Sequence, residues 1–246
     1  PYVTNLPDLT AECIVTVVSA PTASDGCGGV TISGTTSDPL SYTAVGTYTI
    51  TWTYTGGNGN TTTQTQTVIV TDTTAPVADN ATLADVIAQC EVTTLTAPTA
   101  TDNCGGLVTV TNDAALPITA QGTTVVTWTY TDAQGNSSTQ TQDVVITDTT
   151  APVADAATLA DVTAQCEVTS LTAPTATDNC GGLVTVTNDA ALPITAQGTT
   201  VVTWTYTDAQ GNSSTQTQDV VITDTTAPVA DAATLADVTA QCEVTS

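Results

Sequence analysis

The sequence contains no residue with a cationic side chain. Its 246 residues include 24 Asp and Glu but no Lys, Arg or His, so the formal net charge is -24. Such a chain has no imidazole base, no Schiff-base lysine and no arginine to clamp an anion. Nucleic acid and anionic membrane surfaces would repel it. The composition therefore argues against nucleic-acid partners and removes the usual residues of most enzyme mechanisms.

Catalysis by acids alone is the one enzymatic chemistry left open. Paired carboxylates can hydrolyse glycosides, but here the acids recur identically in successive copies of a short repeat, which is too small to form a substrate cleft. We therefore predict that the protein is not an enzyme.

Long hydrophobic runs are also missing. No stretch of about 18 apolar residues exists in the sequence, so we expect no membrane insertion. No secretory signal is visible at Pro1, and the pattern stops in mid-course at Ser246. We therefore expect the chain to be part of a longer protein.

What the sequence does contain is a repeat with a period of 76 residues. Segments 77–152 and 153–228 are nearly identical, and residues 1–76 form a diverged copy with the same Trp and Cys landmarks. The period is too long for a solenoid turn and suits a small domain. The predicted domains are three repeats and the start of a further, truncated one: 1–74, 75–150, 151–226 and 227–246.

Each copy has the alternation of apolar and polar residues that is typical of β-strands. In Thr123–Thr131, the apolar side chains of Val126, Trp128 and Tyr130 share one face. Asp132–Asn136 predicts a tight turn before a returning strand. The predicted class is all-β, with β-sandwich domains. Linkers that contain Pro and lack Gly-rich stretches predict domains arranged end to end as a rod. The other predicted strands of this copy are Ala84–Val92, Leu107–Thr111 and Ser138–Thr147.

The cysteines recur in pairs that are fourteen residues apart. A core this small usually needs a covalent staple, and pairing within a copy would close a loop of roughly 15 residues, worth about 3 kcal/mol. Pairing of Cys27 with Cys90 would leave Cys13 unmatched, and zinc fits poorly because no His is present. We therefore predict disulfides within each copy, and hence an extracellular, cell-surface location. The pairs are Cys13 with Cys27, Cys90 with Cys104 and Cys166 with Cys180, and the partner of Cys242 is expected beyond the fragment.

Acidic residues near the predicted junctions are candidates for a metal site. Carboxylate oxygens are hard ligands that suit Ca²⁺. No Asp-x-Asp-x-Asp-Gly loop is present, and the alternative is that these acids are solvated charges that keep the chain soluble. No cofactor is required by this interpretation, and calcium is the one candidate. The residues concerned are Asp72, Asp148 and Asp224 of the linkers, with Asp102 and Asp178 of the cysteine loops.

Several short motifs resemble the hyalin-repeat (HYR-like) family. They include Leu6–Cys13, Ser24–Gly29, Thr101–Cys104 and Asp132–Asn136. The resemblance implies an immunoglobulin-like sandwich that is used in extracellular adhesion. The long tandem copies also resemble the giant surface adhesins of gliding flavobacteria and related Bacteroidota, which are exported by type 9 secretion.

The Asp-Thr-Thr sequence of each linker resembles the O-glycosylation acceptor of Bacteroidota. This resemblance implies a sugar beside each linker. The alternative is an ordinary turn in which the Asp accepts a hydrogen bond from its own backbone. The candidate acceptors are Thr73, Thr149 and Thr225.

The function predicted from these features is a structural stalk segment of a long secreted cell-surface adhesin, extending a distal binding region in adhesion or gliding motility. The expected partners are neighbouring repeats of the same chain and an extracellular surface or glycan receptor reached through other regions. The alternative is a self-associating filament or matrix protein, in which many weak repeats bind a ligand or each other.

Overall fold

The computed structural model describes residues 5–26 and 29–231. All regular structure among these residues is β, which confirms the predicted class of tandem immunoglobulin-like sandwiches. The first repeat contains Leu9–Glu12 (β1), Val15–Thr16 (β2), Thr22–Ser24 (β3), Thr31–Ser33 (β4), Ser41–Tyr42 (β5), Gly46–Thr55 (β6) and Thr61–Thr71 (β7).

The two later repeats share one strand pattern. The second contains Val77–Ala78 (β8), Val86–Ala88 (β9), Ala100–Thr101 (β10), Thr109–Asn112 (β11), Gly122–Thr131 (β12) and Ser137–Ile146 (β13). The third contains Val153–Ala154 (β14), Val162–Gln165 (β15), Ala176–Thr177 (β16), Thr185–Asn188 (β17), Gly198–Thr207 (β18) and Ser213–Thr223 (β19).

A long antiparallel hairpin forms the main sheet of each of the three repeats that the structure describes. In the second repeat it is β12 with β13, and the sheet order is β11-β12-β13-β9. The short strand β9 runs parallel to the end of β13, with Val86 opposite Val144 and Ala88 opposite Ile146. The third repeat has the equivalent order β15-β19-β18-β17, and the first has β1-β7-β6. Two-residue and three-residue ladders complete the repeats.

The hydrophobic core of each repeat lies against its hairpin. Val126, Trp128 and Tyr130 are buried, as their shared face predicted, and they pack with Val144 and Ile146. The Thr residues between them on β12 are only partly buried, because successive side chains of a strand point to opposite faces. The described residues form three such clusters, and the members of each come from a single repeat.

One predicted strand is shorter than expected, and its backbone explains why. Ala84–Val92 was predicted as a continuous strand, but β9 covers only Val86–Ala88. Cys90 follows in the left-handed region, with φ of 57°, and the amide N–H of Glu91 donates to the carbonyl of Gln89. This turn ends the pairing with β13, and Val92 instead forms an isolated bridge with Ile118.

The chain divides into two compact units, residues 1–147 and 148–246. The first unit contains the first two repeats, so the junction between them lies inside one unit. The rod-like, end-to-end arrangement and the predicted domain limits stay predictions.

Candidate functional site

The end of β7 places Asp72 at the junction between the first and second repeats. Its side chain is only 8% exposed, and its Oδ1 accepts a hydrogen bond from the Thr74 amide at 3.4 Å. Burial raises the pKa of the Asp72 carboxyl, and the negative charges of Asp102, Asp132 and Glu12 raise it further. Asp72 is therefore a carboxylate whose charge is poorly compensated.

Asp102 of the second repeat lies beside Asp72. It is 6% exposed, and its Oδ2 accepts the Cys104 amide at 2.8 Å. Its Oδ1 is buried and has no hydrogen-bond partner in the part of the chain that the structure describes. One carboxylate oxygen of each Asp and the Sγ of Cys104 all lie within 4.8 Å of one another. The linker and the cysteine loop thus form one acidic cluster.

The turn between β12 and β13 supports this cluster. Asp132 Oδ1 accepts the amides of Gln134 and Asn136 at 2.9 and 2.8 Å, and its Oδ2 accepts the Asn136 side chain at 2.8 Å. Burial raises the pKa of Asp132, but these hydrogen bonds outweigh burial and leave the pKa below its ordinary value. Asn136 Nδ2 also donates to the Asp72 carbonyl at 3.1 Å, which ties the turn to the linker.

A disulfide joins the two repeats at the same place. Cys13, directly after β1, bonds to Cys104, with an S–S distance of 2.10 Å and a Cα–Cα distance of 4.7 Å. The Asn103 side-chain amide lies 3.2 Å from Cys13 Sγ. The bond links residues that are 91 positions apart and belong to successive repeats.

The predicted pairing within each copy is therefore wrong. Cys104 bonds to Cys13 and not to Cys90, and Cys166 is free and exposed whereas Cys180 and Cys90 are disulfide-bonded. The predictions for Cys27 and Cys242 fall outside the described residues.

The strand order explains the error. Cys90 follows β9, which pairs with the last residues of β13, whereas the loop of Cys104 lies by Asp72 and the start of β13. A strand of ten residues is roughly 33 Å long, so the two cysteines of one repeat lie at opposite ends of its sheet.

The second compact unit repeats the acidic cluster. Asp148 and Asp178 are buried, and a carboxylate oxygen of each lies within 4.8 Å of the other and of Cys180 Sγ. Asp178 Oδ2 accepts the Cys180 amide at 2.8 Å, and its Oδ1 has no hydrogen-bond partner among residues 5–26 and 29–231. Asn212 donates to the Asp148 carbonyl at 3.1 Å. The same residues thus build the same site twice.

Four of the five predicted metal ligands are brought together in pairs. Asp72 meets Asp102, and Asp148 meets Asp178, while Asp224 is exposed and joins no such group among the described residues. Sequence reasoning did not assign a supporting role to Asp132, Asn136 and their equivalents. The signal for them was present, because Asp-x-x-x-Asn recurs in the hairpin turns of both late repeats. Metal binding itself stays a prediction.

The predicted glycosylation positions are all exposed. The Thr73 hydroxyl and amide both donate to Glu12, and these bonds together with that of Thr74 lower the pKa of Glu12. The Thr225 hydroxyl accepts a hydrogen bond from Gln165 at 2.9 Å. Glycosylation of Thr73, Thr149 and Thr225 stays a prediction.

The described residues include no helix that is long and apolar enough to cross a membrane.

The chain belongs to the family of HYR-like domains with four cysteines. The family profile matches residues 73–146 and 150–223. Each matched segment contains two cysteines of its own, Cys90 with Cys104 and Cys166 with Cys180. The predicted resemblance to hyalin repeats is thereby confirmed.

Two curated relatives are hyalins of sea urchins. The chain is 35% identical over 238 residues to hyalin of Lytechinus variegatus, which covers 87% of the chain and 44% of that protein. It is 37% identical over 234 residues to hyalin of Strongylocentrotus purpuratus, which covers 85% of the chain and 19% of that protein. The chain therefore spans less than half the length of either relative.

Among solved structures, mouse cadherin-23 repeats EC22–24 align over 91% of this chain and 97% of that one, at 12% identity and a TM-score of 0.34. Family membership and the hyalin relatives indicate an adhesion-related repeat protein. Its disulfide indicates an extracellular, oxidising environment.

Proposed function

We propose that the chain is a stalk segment of a long secreted cell-surface adhesion protein, in which successive repeats hold a distal binding region away from the cell. The observation that carries this proposal is the Cys13–Cys104 disulfide, because it joins one repeat covalently to the next. A stalk must transmit load from one repeat to its neighbour, and a covalent link at the junction serves that purpose.

Pulling single molecules by the two ends of the chain tests this mechanical role. The 91 residues between the cysteines cannot extend while the bond is intact, which hides about 300 Å of contour length at roughly 3.4 Å per residue. Oxidised chains should extend less than reduced chains by at least that amount. A difference of only about 50 Å, expected for a loop closed within one repeat, would reject load transfer through the junction.

The alternative is a filament or matrix protein whose repeats bind each other. The net charge of -24 with no cationic side chain favours separate stalks, because like-charged surfaces repel within the Debye length of about 8 Å at physiological salt. Sedimentation velocity from micromolar to millimolar concentration separates the two functions. A stalk segment stays monomeric over this range, whereas concentration-dependent bundling would favour the matrix function.

Gliding motility and type 9 export are the finer part of the sequence-based resemblance, and both stay predictions. The full-length gene tests them, because a C-terminal sorting domain would identify the export route.

A further inference from the structure

We propose that each repeat junction binds a divalent cation of the Ca²⁺ type between a linker Asp and the Asp of the following cysteine loop. The two sites in this chain are Asp72 with Asp102, and Asp148 with Asp178. Each lies inside one compact unit. The proposal concerns a metal site and does not depend on the stalk function.

The separation of the carboxylates fits a single bridging ion. Ca²⁺ lies about 2.3–2.6 Å from each oxygen ligand, so two ligands on opposite sides of one ion are about 5 Å apart at most. The carboxylate oxygens of Asp72 and Asp102 lie within 4.8 Å of each other. One ion can therefore contact both without any movement of the backbone.

The burial of these acids favours a positive charge supplied from outside the chain. A buried carboxylate is costly unless a cation or several hydrogen bonds compensate it. The protein has no Lys, Arg or His, so no side chain can supply this charge. Asp132 is compensated by N–H donors of its own turn, whereas Asp102 Oδ1 is buried without a hydrogen-bond partner among the described residues. Asp102 Oδ1 is therefore available as a ligand for an ion.

The chemistry of the donor set favours a hard cation. The ligand atoms are carboxylate oxygens, which suit Ca²⁺ and Mg²⁺ better than Zn²⁺. The sulfur of Cys104 is part of the disulfide and is not a thiolate. Ca²⁺ also accepts irregular coordination completed by water and carbonyl oxygens, whereas Mg²⁺ demands a near-ideal octahedron.

The site is complete only when two repeats follow each other. Asp72 ends the first repeat, and Asp102 belongs to the second, directly before the cysteine that bonds back to Cys13. The disulfide holds the loop of Asp102 in place beside Asp72, and such preorganisation strengthens binding. Reduction of the disulfide should therefore weaken Ca²⁺ binding at this junction.

Isothermal titration of the oxidised, EDTA-stripped 246-residue chain with CaCl₂ tests the proposal. The expected stoichiometry is two ions per chain. Asp102→Asn should reduce it to one, Asp178→Asn should do the same, and the double variant should bind none. The site that each single variant keeps is its internal control for folding. The matched charge controls are Asp85→Asn and Asp161→Asn, two exposed acids at equivalent repeat positions, which should leave two ions bound.

Two results would overturn the cation site. One is the absence of saturable Ca²⁺ binding by a chain whose tryptophan fluorescence shows that it is folded. The other is a stoichiometry that Asp102→Asn does not change, which would mean that any bound calcium lies elsewhere. Monomeric chains that bind two ions would support the site whichever function the sedimentation experiment favours.

Discussion

Trp128 donates its indole N–H to Gln142 Oε1 at 3.0 Å, across the two long strands of the second repeat. Gln142 in turn donates its side-chain amide to the Ala84 carbonyl at 2.8 Å. One glutamine therefore joins the buried tryptophan, which is 1% exposed, to the segment that precedes β9. Trp204, Gln218 and Ala160 repeat the arrangement in the third repeat.

Gln142→Ala should lower the free energy of unfolding of the second repeat by about 1–3 kcal/mol, because it leaves a buried indole N–H without its acceptor. Chemical denaturation followed by tryptophan fluorescence measures the effect. Thr141→Ala on the exposed neighbouring position is the control and should change stability by no more than about 0.5 kcal/mol. Equal effects of the two substitutions would show that the Trp–Gln hydrogen bond contributes nothing.

The disulfide between repeats predicts a specific cross-linked peptide. Trypsin has no cleavage site in a chain without Lys or Arg, so digestion must use proteases that cleave at Asp and Glu. Without reductant, mass spectrometry should find the peptide of Cys13 joined to the peptide of Cys104. A dominant Cys13–Cys27 peptide would contradict the structure and restore pairing within the copy.

The raised pKa of Asp72 predicts that this residue destabilises the folded chain at neutral pH and not in acid. Its folded pKa lies above the ordinary value of 3.8, so its contribution to stability is fully present below that value and is lost as pH rises through the folded pKa. In EDTA at pH 7, Asp72→Asn should therefore be more stable than the unmodified chain, and the difference should shrink as pH falls toward 3.8. Thermal melts at several pH values measure this, with Asp85→Asn as the control. A variant that is less stable at pH 7 in EDTA would contradict the raised pKa.

The lowered pKa of Asp132 predicts that this residue stabilises the folded chain at neutral pH and loses that effect in acid. Its folded pKa is lowered by hydrogen bonds from Asn136 and Gln134, so its contribution is present above the ordinary value of 3.8 and is lost as pH falls through the folded pKa. Asp132→Asn should destabilise the second repeat at pH 7, because an amide nitrogen would face the Asn136 amide. The penalty should fade in acid. Urea denaturation at pH 7 and in acid measures it, and a penalty independent of pH would exclude the charge of Asp132 as its cause.

Asn136 should stabilise both the junction between the first two repeats and the turn between β12 and β13. Asn136→Ala removes the hydrogen bonds to Asp132 Oδ2 and to the Asp72 carbonyl. We expect a loss of about 1–3 kcal/mol in the unfolding free energy of the second repeat, and faster amide hydrogen exchange in the linker. The matched control is Ser137→Ala, an exposed position directly beside it. Unchanged exchange in the linker would show that Asn136 supports only the turn.

Much of the fold could be predicted because the alternation of apolar and polar residues along a strand shows which of its faces is buried. The alternation in Thr123–Thr131 identified the buried face of β12, and the turn residues Asp132–Asn136 located the hairpin. The 76-residue period indicated that each copy is a small domain, and the described residues of the three copies form three separate cores. These properties depend on neighbours within a few residues, which the sequence displays directly.

The amino-acid sequence by itself determined the all-β class, the repeat, the excess of negative charge and the acids of the junctions. Only the tertiary structure decided which of these acids meet and which cysteines bond. Two cysteines fourteen residues apart lie at opposite ends of one sheet, while β1 runs parallel to the end of β7 and carries Cys13 to the next repeat. The spacing of two cysteines along the chain limits the distance between them. The direction of the strands that precede them decides which cysteines lie close enough to bond.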